Sequence, residues 1–268
     1  MPSAIKIKNL NYSYDDYHVL KNIDCTVQKG DFFVIIGPNG SGKTTLIKII
    51  AGIFKQQKGD IFVFDKNLQN YSRKKLAQKI AIVPQMISAD FPFTVMELVL
   101  MGRSPYLGLL GLDKQEDLEI AKQALAFTGV EELMNRRMDH LSGGERQRIL
   151  IAKAICQETE IILLDEPTAA LDLAHQIRIM DLMEQLQQKK DVTIIMVSHD
   201  LNLAAMYGNR LLLLDDGKIA DIGCPADVLT LKNLEKTYGC NLLIDKNPVG
   251  QYPRVNIVPQ KFINNSRK

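Results

Sequence analysis

The sequence predicts an α/β fold, and three observations carry that reading. An apolar run, Phe32 to Ile36, enters the glycine-rich stretch Gly37 to Thr45 and leaves into the helix-like spacing Leu46, Ile49, Ile50, Ile53; that is strand, loop, helix. Two more short apolar runs, Ile161 to Leu164 and Val192 to Val197, have the length and bounded ends of fully buried strands. From Ser88 to about His140 the pattern turns from strands to helices, so a helical block is inserted between strands of one sheet.

At 268 residues the chain is long enough for one large domain, or one domain with an inserted subdomain. Its composition, 46% hydrophobic and 24% charged, is that of an ordinary globular protein. A formal charge of +2 is too small to point to nucleic acid or an anionic membrane surface. No apolar run reaches bilayer length, and Met1 to Lys6 carries no signal-peptide hydrophobic region, so the expected location is cytoplasmic unless something tethers the chain. Cys25, Cys156, Cys224 and Cys240 are far apart with no Cys-x-x-Cys spacing, which points to buried or incidental thiols rather than zinc or a disulfide framework.

In chain order, Ile5 and Ile7 alternate with Lys6 and Lys8, and Ile23, Cys25 and Val27 with Asp24 and Thr26, so the chain opens on antiparallel-looking strands. Between them Asn11 to Tyr17 reads as a polar loop dense in tyrosine. A ring there either stacks on a base or packs at the sheet edge. Gly37-Pro38-Asn39-Gly40-Ser41-Gly42-Lys43-Thr44-Thr45 has the P-loop spacing Gly-x4-Gly-Lys-Thr. Glycines let successive backbone N–H groups turn inward on phosphate oxygens, and the helix dipole adds positive potential. Lys43 is placed to reach the β- and γ-phosphates and the Thr44 hydroxyl to ligate Mg²⁺.

The P-loop helix ends near Gly52, and the strand Ile80 to Val83 is stopped by Pro84. Gln85 follows, either reaching toward Mg²⁺ or attacking water, or simply exposed at a strand end. Thr94 and Glu97 read as a capping box for a helix stopping at Gly102, and Asp113 with Glu116 opens a second helix to Gly129. Ser142 and Glu145 have the same box spacing around Gly143 and Gly144, with Leu150, Ile151, Ala154 and Ile155 as the buried face behind them. This is either an ordinary capped helix or a second anion site that serves a nucleotide held by another copy of the chain.

Asp165 and Glu166 end the strand Ile161 to Leu164 and, by alternation, point to opposite faces, so their roles should differ: Mg²⁺ through water for one, a proton from attacking water for the other. His199 ends the strand Val192 to Val197, on the edge where ligands bind in open α/β sheets, or else caps the next helix. Leu211 to Leu214, Asp216-Gly217 and Lys218 to Ile222 read as a hairpin. Pro225 to Gln260 reads as one short helix and then small strands, and Lys261 to Lys268 as a disordered basic tail.

With the P-loop, Gln85, Leu141-Ser142-Gly143-Gly144-Glu145-Arg146-Gln147-Arg148, Leu163-Leu164-Asp165-Glu166-Pro167-Thr168 and His199 in this order, the chain resembles the ATP-binding-cassette ATPases over nearly its whole length. The resemblance implies a P-loop NTPase core with a mixed sheet, an N-terminal antiparallel β-subdomain and an inserted α-helical subdomain. Boundaries follow: core about 1–87 and 156–240, helical subdomain about 88–155, C-terminal strands about 241–260, tail 261–268. It implies ATP and Mg²⁺ as cofactors, contacted by Tyr14 at the adenine and by Gly37 to Thr45 at the phosphates. Thr44, Gln85 and Asp165 serve the metal, Glu166 is the general base, and His199 steadies the γ-phosphate and Glu166. Ser142, Gly143 and Gly144 reach the γ-phosphate in trans, and Asp172 lies at the subunit contact. Tyr17 is the fallback for Tyr14.

Three stretches, Met101 to Gly108, Leu171-Asp172-Leu173-Ala174-His175-Gln176 and His199 to Ala205, resemble importer ATPases for iron chelates, haem and cobalamin. Tyr106 stands where that group commonly has histidine, and Ala170 where histidine or another residue often precedes Leu171-Asp172; neither change touches the phosphate chemistry. The implied partners are integral-membrane permease subunits, a second copy of the chain and an external substrate-binding protein, at the cytoplasmic face of the membrane, with no nucleic acid. Other readings are a different ABC transporter ATPase (metal ion, molybdate or export) or a soluble ABC ATPase acting on DNA or ribosomes. The last lacks its usual coiled-coil insertion, second cassette or basic patch.

Overall fold

The computed structural model describes residues 2–85, 92–108, 112, 114–169 and 171–263. Ser88 at the start of the helical block, Asp113, Ala170 and residues 264–268 of the basic tail lie outside the described residues.

Strands β1 (Ser3–Tyr14) and β2 (Tyr17–Gln28) pair antiparallel. The tyrosine-rich stretch is therefore strand, with only Asp15 and Asp16 turning the chain. Register shifts between Leu10 and Tyr12 and between Tyr12 and Ser13 break the alternation there, and that irregularity is what makes it read as loop. Next come β3 (Phe32–Ile36), α1 (Lys43–Ile50), β4 (Lys58–Val63), β5 (Lys66–Asn67), α2 (Arg73–Ala77) and β6 (Ile80–Val83). The strands β2-β1-β4-β5 form one antiparallel sheet.

After β6 the chain turns helical. Thr94 and Glu97 close a reciprocal capping box at the start of α3 (Val95–Leu100). The helical path does not stop at Gly102; it runs on as a 3₁₀ segment, Met101–Tyr106. Glycine is needed there for close approach, because a Cβ would lie 2.5 Å from the Lys153 carbonyl oxygen. Helix α4 (Gln115–Thr128) ends at Gly129 with φ 64°. At its start the Asp117 carboxylate accepts from the Lys114 N–H at 3.0 Å; the opening expected at Asp113 lies outside the described residues. Helix α5 (Gly143–Cys156) packs on both α3 and α4.

The chain continues through β7 (Ile161–Asp165), α6 (Leu173–Lys190), β8 (Thr193–Val197), α7 (Leu201–Tyr207), β9 (Arg210–Asp215) and β10 (Lys218–Gly223). The six-stranded sheet has the order β10-β9-β3-β8-β7-β6, parallel except for β10. It is the mixed sheet the resemblance implies. Alternation along β3 divides the core: Phe32, Val34 and Ile36 join the cluster under α5, α6 and α7, whereas Phe33 and Ile35 join the cluster with α1 and the antiparallel sheet.

Beyond β10 the structure has two helices where one was expected, α8 (Pro225–Val228) and α9 (Leu231–Tyr238), because Thr230 recaps the chain by accepting from the Asn233 N–H. The hairpin β11 (Leu242–Lys246) and β12 (Pro253–Ile257) follows. Asn202 of α7 ties it down, accepting from the Val255 N–H at 2.8 Å and donating to its carbonyl at 3.1 Å. A helical turn, α10 (Gln260–Ile263), occupies the start of the expected tail. Among the described residues no helix is long and apolar enough to cross a membrane.

Candidate active site

The P-loop is shaped by contacts that only glycine tolerates. Gly37 has φ 147° and a Cβ there would lie 2.1 Å from the Leu214 carbonyl oxygen; Gly42 has φ 101° and faces Leu20 Cδ2 at 2.8 Å. The loop therefore lies directly on β9 and β2. Ser41 is buried beneath it. Lys43, first residue of α1, folds its ammonium back to donate to the Gly37 and Pro38 carbonyls at 2.9 and 2.8 Å. Burial lowers the Lys43 pKa, while the carboxylates of Glu166 and Asp165 raise it. The result is a buried cation held against the carbonyls at the start of the loop.

The two carboxylates at the end of β7 take separate partners. Asp165, the last residue of the strand, accepts from the Thr44 hydroxyl at 3.0 Å. Its pKa is raised by burial and by the charge of Glu166, against the pull of the Thr44 hydrogen bond and the Lys48 and Lys43 cations. Glu166 leaves the strand at φ 52°, a left-handed backbone uncommon outside glycine. Turned this way, one carboxylate oxygen accepts from Gln85 Nε2 at 2.7 Å, and the other is hydrogen-bonded to His199 Nε2. His199 does not cap α7; Asp200 does, accepting from the Asn202 and Leu203 N–H groups.

Tyr14, Tyr17, Val19, Asn39, Gly40, Gly42, Lys43, Thr44, Thr45, Glu166 and His199 line one open cleft of about 300 Å³. Tyr14 is braced: its hydroxyl lies 3.3 Å from Thr45 Oγ1, and its ring stands edge-on to Tyr12 and Phe54 at 5.2 and 5.9 Å. Tyr17 is the looser wall, 65% exposed against 42% for Tyr14. Ser142, Gly143, Gly144 and Asp172 do not line this cleft. Ser142 caps α5 reciprocally with Glu145, accepting from its N–H at 3.3 Å and donating both N–H and hydroxyl to its carboxylate at 2.8 Å. Asp172 caps α6 through the His175 N–H at 2.9 Å.

Two residues in this arrangement are not identified by sequence reasoning. Val19 lines the cleft only because the antiparallel sheet packs onto the loop, and no local pattern signals that. His175 bonds Asp172 through its ring as well as its backbone, and its position three residues past a capping aspartate was the available signal.

A mixed, mostly parallel sheet with a lysine-bearing glycine loop, a strand-end carboxylate pair and a histidine on the second carboxylate has the build of a P-loop ATPase. Residues 20–169 match the ABC transporter family. This chain belongs to that family, and it is an ATPase. It is 40% identical over 92% of its length, and 90% of the relative's, to YusV of Bacillus subtilis (strain 168), named for a siderophore transport system. It resembles a solved metal-chelate-type ABC transporter in an inward-facing conformation with TM-score 0.86 and 31% identity, covering 98% of this chain and 100% of that one. It also resembles the dimeric post-hydrolysis state of the cassette MJ0796 bound to ADP and Pi, with TM-score 0.72 and 30% identity over 82% of this chain and 98% of that one.

Proposed function

We propose that this chain is the energy-coupling subunit of an importer for a metal chelate, with iron siderophores as the leading cargo class. It works as a homodimer at the cytoplasmic face of the membrane, on integral-membrane permease subunits fed by an external binding protein. The carrying observation is the split of the motifs. Lys43, Thr44, Glu166 and His199 share one cleft, and Ser142 to Gly144 lie outside it, as fits a site completed by a second chain. The likeness to YusV and to the metal-chelate-type transporter supports the cargo class.

In this reading Tyr14 stacks on adenine, while Lys43 and the N–H groups of Gly37 to Thr45 hold the phosphates. The helix start at Ser142 to Gly144 caps the γ-phosphate bound by the partner, with Asp172 at the contact. Mg²⁺ fits the donor set: Thr44 hydroxyl, Asp165 carboxylate and Gln85 amide are hard oxygen ligands. No three His, Cys, Asp or Glu among the described residues converge on a metal by themselves, which suits an ion that takes most of its ligands from phosphates and water. The ion would neutralise phosphate charge. Glu166, oriented by Gln85 and His199, accepts the proton of the attacking water. Charge-assisted contacts to the γ-phosphate from both chains close the dimer, and hydrolysis removes them. The helical block about 88–155 and Gln85 pass this movement to the permease.

The test is affinity capture of tagged Glu166→Gln chain with ATP and Mg²⁺ from detergent-solubilised membranes of the source cell. Recovery of a multi-helix permease supports the importer. Recovery of ribosomal or DNA-associated proteins alone overturns it.

A further inference from the structure

Gly144 poses a question that its own backbone does not answer. It is the second residue of α5 and has no positive φ, so its backbone conformation does not itself require glycine. Neighbouring Gly143 has open space where a Cβ would stand. At Gly144 a Cβ would lie 2.6 Å from His175 Cδ2 and 3.0 Å from His175 Nε2. The ring of His175 thus occupies the volume that any other residue at 144 would need.

The ring is held in that place from its opposite edge. His175 Nδ1 lies 2.8 Å from Asp172 Oδ1, the same oxygen that accepts from the His175 backbone N–H at 2.9 Å. An ionised carboxylate can only accept, so Nδ1 carries the proton and donates. One imidazole therefore bridges the aspartate that caps α6 and the second residue of α5, Gly144, 28 positions apart in sequence.

We propose that His175 is a positioning residue: tied to Asp172, it seats against Gly144 and sets where the Ser142 to Gly144 helix start stands for the nucleotide of the partner chain. The inference rests on the two-chain reading above. It assigns His175 no contact with nucleotide. Its role is to make the subunit-contact aspartate and the phosphate-facing helix start move as one piece. It also gives Gly144 a second requirement besides approach to phosphate, since the glycine must admit the ring.

The test is a double-mutant cycle on the purified full chain, with His175→Ala, Gly144→Ala and both together. In a Glu166→Gln background, ATP-driven dimerisation is read by light scattering; in the unaltered background, ATPase turnover is measured. His175→Ala should lower dimerisation and turnover by roughly tenfold to a hundredfold, the cost of a misplaced contact. Binding of a fluorescent methylanthraniloyl ATP to the monomer, and Tm, should stay at wild-type values, which a folding defect would not allow. Gly144→Ala should cost much less in the His175→Ala background than alone, because the clash is gone. His175→Asn, which keeps a donor for Asp172 and lacks the ring edge, should behave as His175→Ala.

Equal cost of Gly144→Ala in both backgrounds, or dimerisation untouched by His175→Ala, overturns the latch and leaves the two-chain reading standing. A Glu166→Gln chain that does not dimerise with ATP while His175 is intact overturns that reading, and the latch with it.

Discussion

His199 is hydrogen-bonded through Nε2 to one carboxylate oxygen of Glu166, across 33 residues of sequence. Gln85 holds the other oxygen at 2.7 Å. The carboxylate is thus held by two donors from the ends of two different strands, β6 and β8, on either side of its own. Such bracing orients a base, and removing the base should be felt in turnover more than in binding. Glu166→Gln is expected to lower ATPase turnover by about 10²–10⁴-fold, the usual contribution of a positioned general base, with ATP affinity retained and the ATP-bound dimer trapped. His199→Ala should give a smaller loss of the same kind. Single-turnover ATPase assays beside equilibrium nucleotide titration measure both, and unchanged turnover in Glu166→Gln removes that residue from the base role.

Asp165 supplies a prediction with a sign in pH. Its pKa is raised above the ordinary 3.8 by burial and by Glu166, so the folded chain holds the proton more tightly than the unfolded one. The stability this gives is complete below pH 3.8 and is lost as pH rises through the raised value. Asparagine at this position stays neutral and can still accept from Thr44. Asp165→Asn should therefore raise the Tm of the nucleotide-free chain, by an increment that grows above pH 3.8 and then levels off, while Mg²⁺-dependent ATPase activity falls. Thermal scans across pH check the first part; an increment that shrinks with rising pH contradicts the burial argument.

Tyr14 and Tyr17 separate two ways of holding a base. Stacking on an aromatic ring is worth about 1–3 kcal/mol by alanine substitution, and Tyr14 has the braced ring. Tyr14→Ala should weaken ATP binding by roughly 5- to 150-fold, which is that energy expressed as an equilibrium ratio. Tyr14→Phe, which keeps the ring and loses the contact with Thr45, should bind nearly as well as the unaltered chain. If Tyr17→Ala gives the larger loss in the same titration, the adenine sits on the outer wall.

The grouping of Lys43, Thr44, Asp165 and Glu166 was legible because it rests on particular residue types at short fixed spacings: Lys43 and Thr44 at a helix start, Asp165 and Glu166 at a strand end. What stayed hidden arises between segments. Tyr14 belongs to a strand whose register slips, so the alternation that marks strands is missing near the point where it lines the cleft. Gly102 reads as a helix stop because a close approach to the Lys153 carbonyl leaves no local trace. Alternation does separate Asp165 from Glu166, but the turn of Glu166 to φ 52°, which brings it to Gln85 and His199, is a property of the strand's surroundings. The sequence order also says nothing of distance, and only the fold separates Ser142 to Gly144 from the cleft of their own chain.

The helical block depends on one buried cation. Arg103, 6% exposed, donates to Asp117 at 2.8 Å, to the Cys156 carbonyl at 2.8 Å and to Glu158 at 2.8 Å, and its guanidinium lies 4.3 Å from the centre of the Tyr106 ring. These contacts join the 3₁₀ segment to α4 and to the end of α5. Removing the guanidinium leaves the buried Asp117 carboxylate with only the Lys114 N–H, and breaking such a pair costs about 3–5 kcal/mol. Arg103→Ala should lose that much in urea unfolding, and Arg103→Lys should recover little, because an ammonium cannot reach three acceptors in fork geometry. The paired change Arg103→Met with Asp117→Leu removes both charges, so no buried ion is left uncompensated, and it should regain most of the lost stability. If the paired variant is as unstable as Arg103→Ala, the cost lies in the contacts to Cys156, Glu158 and Tyr106 and not in the ion pair.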